Sequence, residues 1–145
     1  MLTDPPGDEN VERRSLNEES RREANDFRWI ESERLGCDQG ESALRRWVKC
    51  HWSGFLRARW IEHMLGVRFW VELDRNEFGL LKRTPGEVRP LLDLILDKLK
   101  CGAENLDIIC WARREITTDE QQMVHDLLGL INVNAHRLRC HFFDE

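Results

Sequence analysis

The stretch that decides the fold runs from Asp38 to Leu65, DQGESALRRWVKCHWSGFLRARWIEHML, with Gly66 just past its end. Wound as one α-helix, it brings Leu44, Trp47, Cys50/His51, Gly54, Ala58, Ile61 and Leu65 to a common face at spacings of three and four. Val48, Trp52, Phe55/Leu56 and Arg59 form an adjoining stripe. A helix this apolar over so much of its circumference is expected at the centre of the fold. Gly54 costs about 1 kcal/mol against Ala in a helix interior, so a kink or break there is allowed. Together with Ala58 it makes a small pair against which another element can approach closely.

Upstream, residues 1–23 are read as a disordered, charged tail. They contain Pro5, Pro6 and Gly7, then ENVERRSLNEESRRE with only Val11 and Leu16 as apolar interruptions, too little to offset the entropy of ordering. One globular domain is expected over 24–145. Its first helix is expected to start at Asn25 or Asp26 and run through Arg34, with Phe27, Ile30 and Arg34 on one face and Gly36 as the stop.

Downstream, Val67–Leu73 alternates Val67, Phe69, Val71 and Leu73 with Arg68, Trp70 and Glu72, the pattern of a half-buried strand. Asp74–Glu77 reads as a turn, Phe78–Lys82 as a returning strand, and Thr84-Pro85-Gly86 as a break. Glu87–Lys100 is an amphipathic helix with Pro90 in its first turn and Val88, Leu91/Leu92, Ile95 and Leu96/Leu99 inward. Leu106–Ala112 fits a buried strand or a helix equally. A further helix begins at Thr118, with Met123, Leu127 and Leu130/Ile131 inward. His136–Phe143 alternates like a strand, although Val133–Phe142 also suits an extension of the preceding helix. The expected fold is therefore α+β: mainly helical, one domain, with a small sheet from 67–73, 106–112 and 136–143. An all-α bundle is the alternative.

The chain has 145 residues, a net charge of −5, six Trp and six Phe but no Tyr. The acidic balance argues against a generic polyanion binder. The longest apolar run, Ile108–Ala112, is far short of the ~20 residues that span a membrane. The N-terminal residues show neither a secretory signal nor a lipidation pattern. With five irregularly spaced cysteines and no CxxC, the expectation is a cytoplasmic protein with free, mostly buried thiols.

Chemistry-bearing motifs are sparse. Cys50-His51 and Cys140-His141 could together offer four zinc ligands, but neighbouring residues on a helix or strand point apart, so no metal and no cofactor are expected. There is no ExxH or HExxH, no GxSxG around Ser53, and no Walker loop or GxGxxG. An enzyme is not the favoured reading.

The best-defined constellation is Arg45–His63, RRWVKCHWSGFLRARWIEH. Arg45, Arg46, Lys49, Trp52, Arg57, Arg59, Trp60 and His63 are the candidate binding residues, since Trp and Arg dominate interface hot spots. The plainer reading of the same stretch is structural: Trp47, Phe55, Ile61 and Leu65 as core, with Arg stems laid over Trp faces. The expected function is a non-enzymatic protein-binding or adaptor module whose partner is another protein or a second copy of the chain. Two alternatives remain. One is a nucleic-acid-binding regulator using the same strip, told apart by a steep salt dependence. The other is a Trp-lined ligand or Cys/His catalytic pocket, told apart by a thiolate of depressed pKa.

Overall fold

The computed structural model describes residues 12–132, 138–140 and 142–143. These are mainly helical, with one short pair of parallel strands. The chain divides by its contacts into two compact units, Met1–Lys82 with Leu138–Glu145, and Arg83–Arg137.

The first unit is built on a helical hairpin, α1 (Leu16–Leu35) and α2 (Gly40–Leu65). The first helix begins at Leu16 and not at Asn25. Ser15 supplies the cap, its Oγ accepting from Glu18 N at 3.4 Å. The Glu72 carboxylate, far along the chain, accepts from Leu16 N at 2.6 Å, Asn17 N at 3.2 Å and Ser15 Oγ at 2.5 Å. Leu16, Ser20 and Ala24, four apart, are fully buried. One leucine and two small residues give the polar segment a packing face where overall composition gave none. Ile30, expected inward, and Trp29 stand exposed.

The turn between the helices is tied by Asp38. Its Oδ1 accepts from Gly40 N at 2.9 Å and from Arg28 Nε at 3.2 Å. These bonds, the one to the Gly40 amide foremost, hold the Asp38 carboxyl below the usual aspartate range. Gly36 and Gly40 take positive φ here, at 78° and 52°, which glycine adopts without penalty.

Helix α2 passes unbroken through Gly54, and a Cβ there would meet nothing within 4 Å. The expected close approach of another element at Gly54 and Ala58 is not made, because this part of the circumference faces outward. Gly66 closes the helix in the left-handed region (φ 74°), its N–H on His63 O and that of Val67 on Glu62 O. A Cβ at Gly66 would overlap the Lys82 side chain at Cε.

The strand expected over Val67–Leu73 shrinks to β2 (Phe69–Trp70). It pairs in parallel with β1 (Arg13–Arg14), in register Arg13 to Phe69 and Arg14 to Trp70. Phe69, Trp70 and Leu73 are buried, whereas Val67 and Val71 are exposed. Alternation fails because the chain turns at once after Trp70, with Leu73 N on Trp70 O at 3.0 Å. Arg75–Glu77 and Leu80–Arg83 are 3-10 turns, the latter in place of the returning strand.

The second unit packs α3 (Arg89–Lys100), α4 (Asn105–Glu115) and α5 (Thr118–Ile131), with α5 touching both others. The segment 106–112 is thus helical. A capping box at Glu104 and Asp107 starts it, and Ile108 and Ala112, one turn apart, are buried. Thr117 and Glu120 form the same device at the head of α5. The buried face of α5 is Val124, Leu127, Leu128 and Ile131, so Met123 and Leu130, expected inward, are exposed. Asn132 ends α5 in the left-handed region (φ 49°). Residues 138–140 form no strand, and 133–137 and 141 lie outside the described residues, as do 1–11 of the expected tail. No helix among the described residues is long and apolar enough to cross a membrane.

Two substitutions test these assignments. Gly54→Ala is expected to raise stability by about 0.5–1 kcal/mol, since the site is open and helical. Glu72→Ala is expected to lower it by about 1–2 kcal/mol by stripping the acceptor from the start of α1. Urea denaturation midpoints at constant slope would read both.

Candidate functional site

The eight residues singled out in the sequence separate into two groups along α2. Toward its C-terminal end the side chains serve the fold. Trp60 is buried and its Nε1 donates to Glu77 Oε2 at 3.3 Å. Arg59 pairs with Glu62 at 2.9 Å and lies 5.5 Å from the Phe55 ring centroid and 5.9 Å from that of Trp70. Glu62 in turn pairs with Arg68 at 3.0 Å, and Arg68 with Glu12 at 3.2 Å. Across the hairpin, burial raises the Glu23 carboxyl above the usual range, opposed by the Arg59 charge. Arg57 is half-buried.

His63 is a correction to the binding list, since it is fully buried. Its Nε2 donates to Asp74 O at 2.8 Å, which leaves Nδ1 bare to accept the Trp70 N–H at 3.2 Å. Its own carbonyl accepts from Gly66 N at 3.0 Å and Gly79 N at 2.9 Å. The rings of Phe69 and Phe78 stand edge-on to the imidazole at 5.1 and 5.4 Å. Burial pushes its pKa below the ordinary histidine value, against the opposing pull of the Asp74 carbonyl and the Glu77 and Asp74 charges. A ring with both nitrogens committed inside the core cannot meet a partner.

Toward the N-terminal end of α2 the residues do converge. Trp47, Trp52 and Phe55 form a cluster with centroid separations of 6.3, 5.7 and 5.8 Å. His51 lies beside it and reaches Phe27 of α1 at 5.5 Å. Leu138, Phe142 and Phe143 are seated on this cluster. Phe142 stacks on Trp47 at 5.8 Å and 22°, and Trp52 Nε1 donates to Leu138 O at 2.8 Å. The Arg21 guanidinium lies 5.2 Å from the Phe142 centroid, and that of Arg45 4.1 Å from the Phe143 centroid. Arg45 also pairs with Glu41 at 2.6 Å. Arg46 is half-buried, and its Nε and Nη2 are buried without a hydrogen-bond partner. Lys49 is exposed one turn beyond Arg45.

Sequence reasoning missed Arg21, Phe142 and Phe143 in this cluster. Arg21 was hidden in a segment of low apolar content, and the two phenylalanines in a period-2 pattern that suggested a strand. A second omission is Trp29, 67% exposed near the end of α1, with Ile30 and Leu35 also exposed. The thiols of Cys37, Cys50, Cys101 and Cys110 are exposed and Cys140 is intermediate, which corrects the expectation of mostly buried cysteines. Among the described residues no group of three or more His, Cys, Asp or Glu side chains converges as a metal site would require. His141 lies outside them.

The burial of neutral His63 has a pH signature. Above pH about 6.5 the ring is neutral in both folded and unfolded chains. As pH falls below that, the unfolded chain takes up a proton that the folded chain refuses, so stability declines until pH passes the lowered native value. The drop in Tm from pH about 7 to about 5.5 is therefore expected to be larger for the wild type than for His63→Gln. Equal drops would place the proton uptake elsewhere. No family model, curated protein or solved structure matches this chain.

Proposed function

We propose that this chain is a non-enzymatic protein-binding module, and that the N-terminal half of α2, with Arg21 of α1 beside it, is the surface that receives a segment of another protein. The observation that carries the reading is the seat itself. The side chains of Trp47, Trp52 and Arg45 already hold a non-helical stretch of polypeptide, by one main-chain hydrogen bond and ring contacts. Peptide-binding surfaces divide their work in this way, main-chain bonds giving affinity and side-chain pockets giving choice. Trp and Arg are also the residue types that most often carry binding energy.

The same geometry weighs against phosphate as the ligand. Arg45 and Arg59 are already engaged by Glu41 and Glu62, and the chain as a whole is acidic. A protein that neutralises phosphates needs cations whose charge is not already paired. A catalytic pocket has no support in His63, whose two nitrogens are both used inside the fold.

Selection from a displayed random-peptide library on the intact protein tests the reading across many short sequences at once. Enrichment of peptides that lose at least about tenfold in affinity, roughly 1.4 kcal/mol, on Trp52→Ala is the expected result. No enrichment, or enrichment indifferent to Trp52→Ala and Arg45→Ala in folded variants, would overturn it.

A further inference from the structure

We propose that Leu138, Phe142 and Phe143 are a built-in occupant of this seat, so that the external ligand is a peptide of the same chemistry: adjacent phenylalanines followed by acidic residues. The inference rests on the protein-docking reading of the hairpin. It adds what the ligand is and that binding proceeds by displacement.

Each contact specifies a ligand feature. The 22° stack of Phe142 on Trp47 requires a flat ring at that position. Arg45, 4.1 Å from the Phe143 centroid, requires a second ring beside it. The two rings are 6.4 Å apart and at 75°, the spacing of successive side chains on a turning chain. Trp52 Nε1, 2.8 Å from Leu138 O, asks only for a main-chain carbonyl and is indifferent to the residue that carries it. Charge supplies the last feature. Arg45 is paired with Glu41 and offers its face alone, but Arg21, Arg46 and Lys49 add positive charge at this end of the hairpin, while Asp144 and Glu145 follow the phenylalanine pair in the sequence. The Arg46 Nε and Nη2 atoms, without an acceptor from the described protein, suit a ligand bearing carboxylates.

An occupant carried by the same chain as its seat competes intramolecularly, at an effective concentration above that of a free peptide. An external peptide with the same contacts therefore binds poorly until the tethered segment is released. The seat is both a recognition site and its own brake.

The experiment uses the full chain and a fluorescein-labelled peptide spanning Leu138–Glu145 with Cys140→Ser. Fluorescence anisotropy compares the wild type with the Phe142→Ala/Phe143→Ala variant, both checked for native helicity. The variant is expected to bind the peptide at least about tenfold more tightly than the wild type, because its own segment no longer competes. A peptide carrying the two Phe→Ala changes should fail to bind either chain. The indole N–H resonance of Trp52 is expected to shift in the variant and to return toward its wild-type position on saturation with peptide.

Equal affinity of variant and wild type, or binding by neither, overturns the proposal. So does a wild-type chain that sediments as a dimer while the double variant is a monomer, since the segment would then sit on a second copy. Peptide-library ligands that depend on Trp52 but lack the phenylalanine pair would sink this inference alone and leave the docking reading standing. Absence of any Trp52-dependent ligand takes both.

Discussion

The first unit depends on how one neutral imidazole is held. His63 sits near the end of α2 with one nitrogen donating to the Asp74 carbonyl and the other accepting from the Trp70 amide. Its backbone carbonyl takes two further N–H groups, from Gly66 and Gly79. A single residue thus fixes where the helix stops and where the following loop goes. That loop carries Glu72 to the start of α1, where the carboxylate satisfies N–H groups that an isolated helix end would leave open. It also sets Phe69–Trp70 beside Arg13–Arg14. The hairpin and the loop that closes it therefore share one keystone, and a charged form of the ring would break it, because Nδ1 could no longer accept.

This dependence explains what could and could not be read from the sequence. The helix from Gly40 to Leu65 was legible because apolar residues recur at helical spacing from Leu44 to Leu65 and a glycine ends the run. The helices at Arg89–Lys100 and Thr118–Ile131 were legible for similar reasons. The start of α1 was not, since its cap is completed by Glu72, more than fifty positions away, and its packing face needs only Leu16, Ser20 and Ala24. The period-2 signal at Val67–Leu73 misled because tertiary ties to His63, not sheet pairing, dictate that backbone. Residues on a loop follow no period.

The candidate site shows the same division between local pattern and distant contact. Residue type and spacing pointed to α2 as the helix rich in Trp and Arg, yet they could not say which of these residues face inward. Trp60 and His63 are drawn into the core by Glu77, Asp74 and Trp70, all supplied by the returning loop. Trp47 and Trp52, nearer the start of the helix, lie where that loop does not reach, and there Phe142 and Leu138 meet them. The same amino-acid types on one helix thus serve two ends, and what separates them is which part of the chain comes back to meet each turn.

The state of the arginines bears on the kind of partner that such a surface suits. A guanidinium has a rim of donors and two flat faces, and the two can be used at once. In Arg45 the rim is turned to Glu41 while the Phe143 ring lies 4.1 Å away; in Arg59 the rim meets Glu62 while the rings of Phe55 and Trp70 lie 5.5 and 5.9 Å away. A carboxylate on the rim lowers the charge available to a phosphate, whose binding draws on net positive charge. It leaves the face, and its attraction for an aromatic ring, largely in place. It also fixes the orientation of a long side chain before anything docks, so less rotamer entropy is lost on contact. Glu41 and Glu62 thus shift Arg45 and Arg59 away from polyanions and toward aromatic side chains.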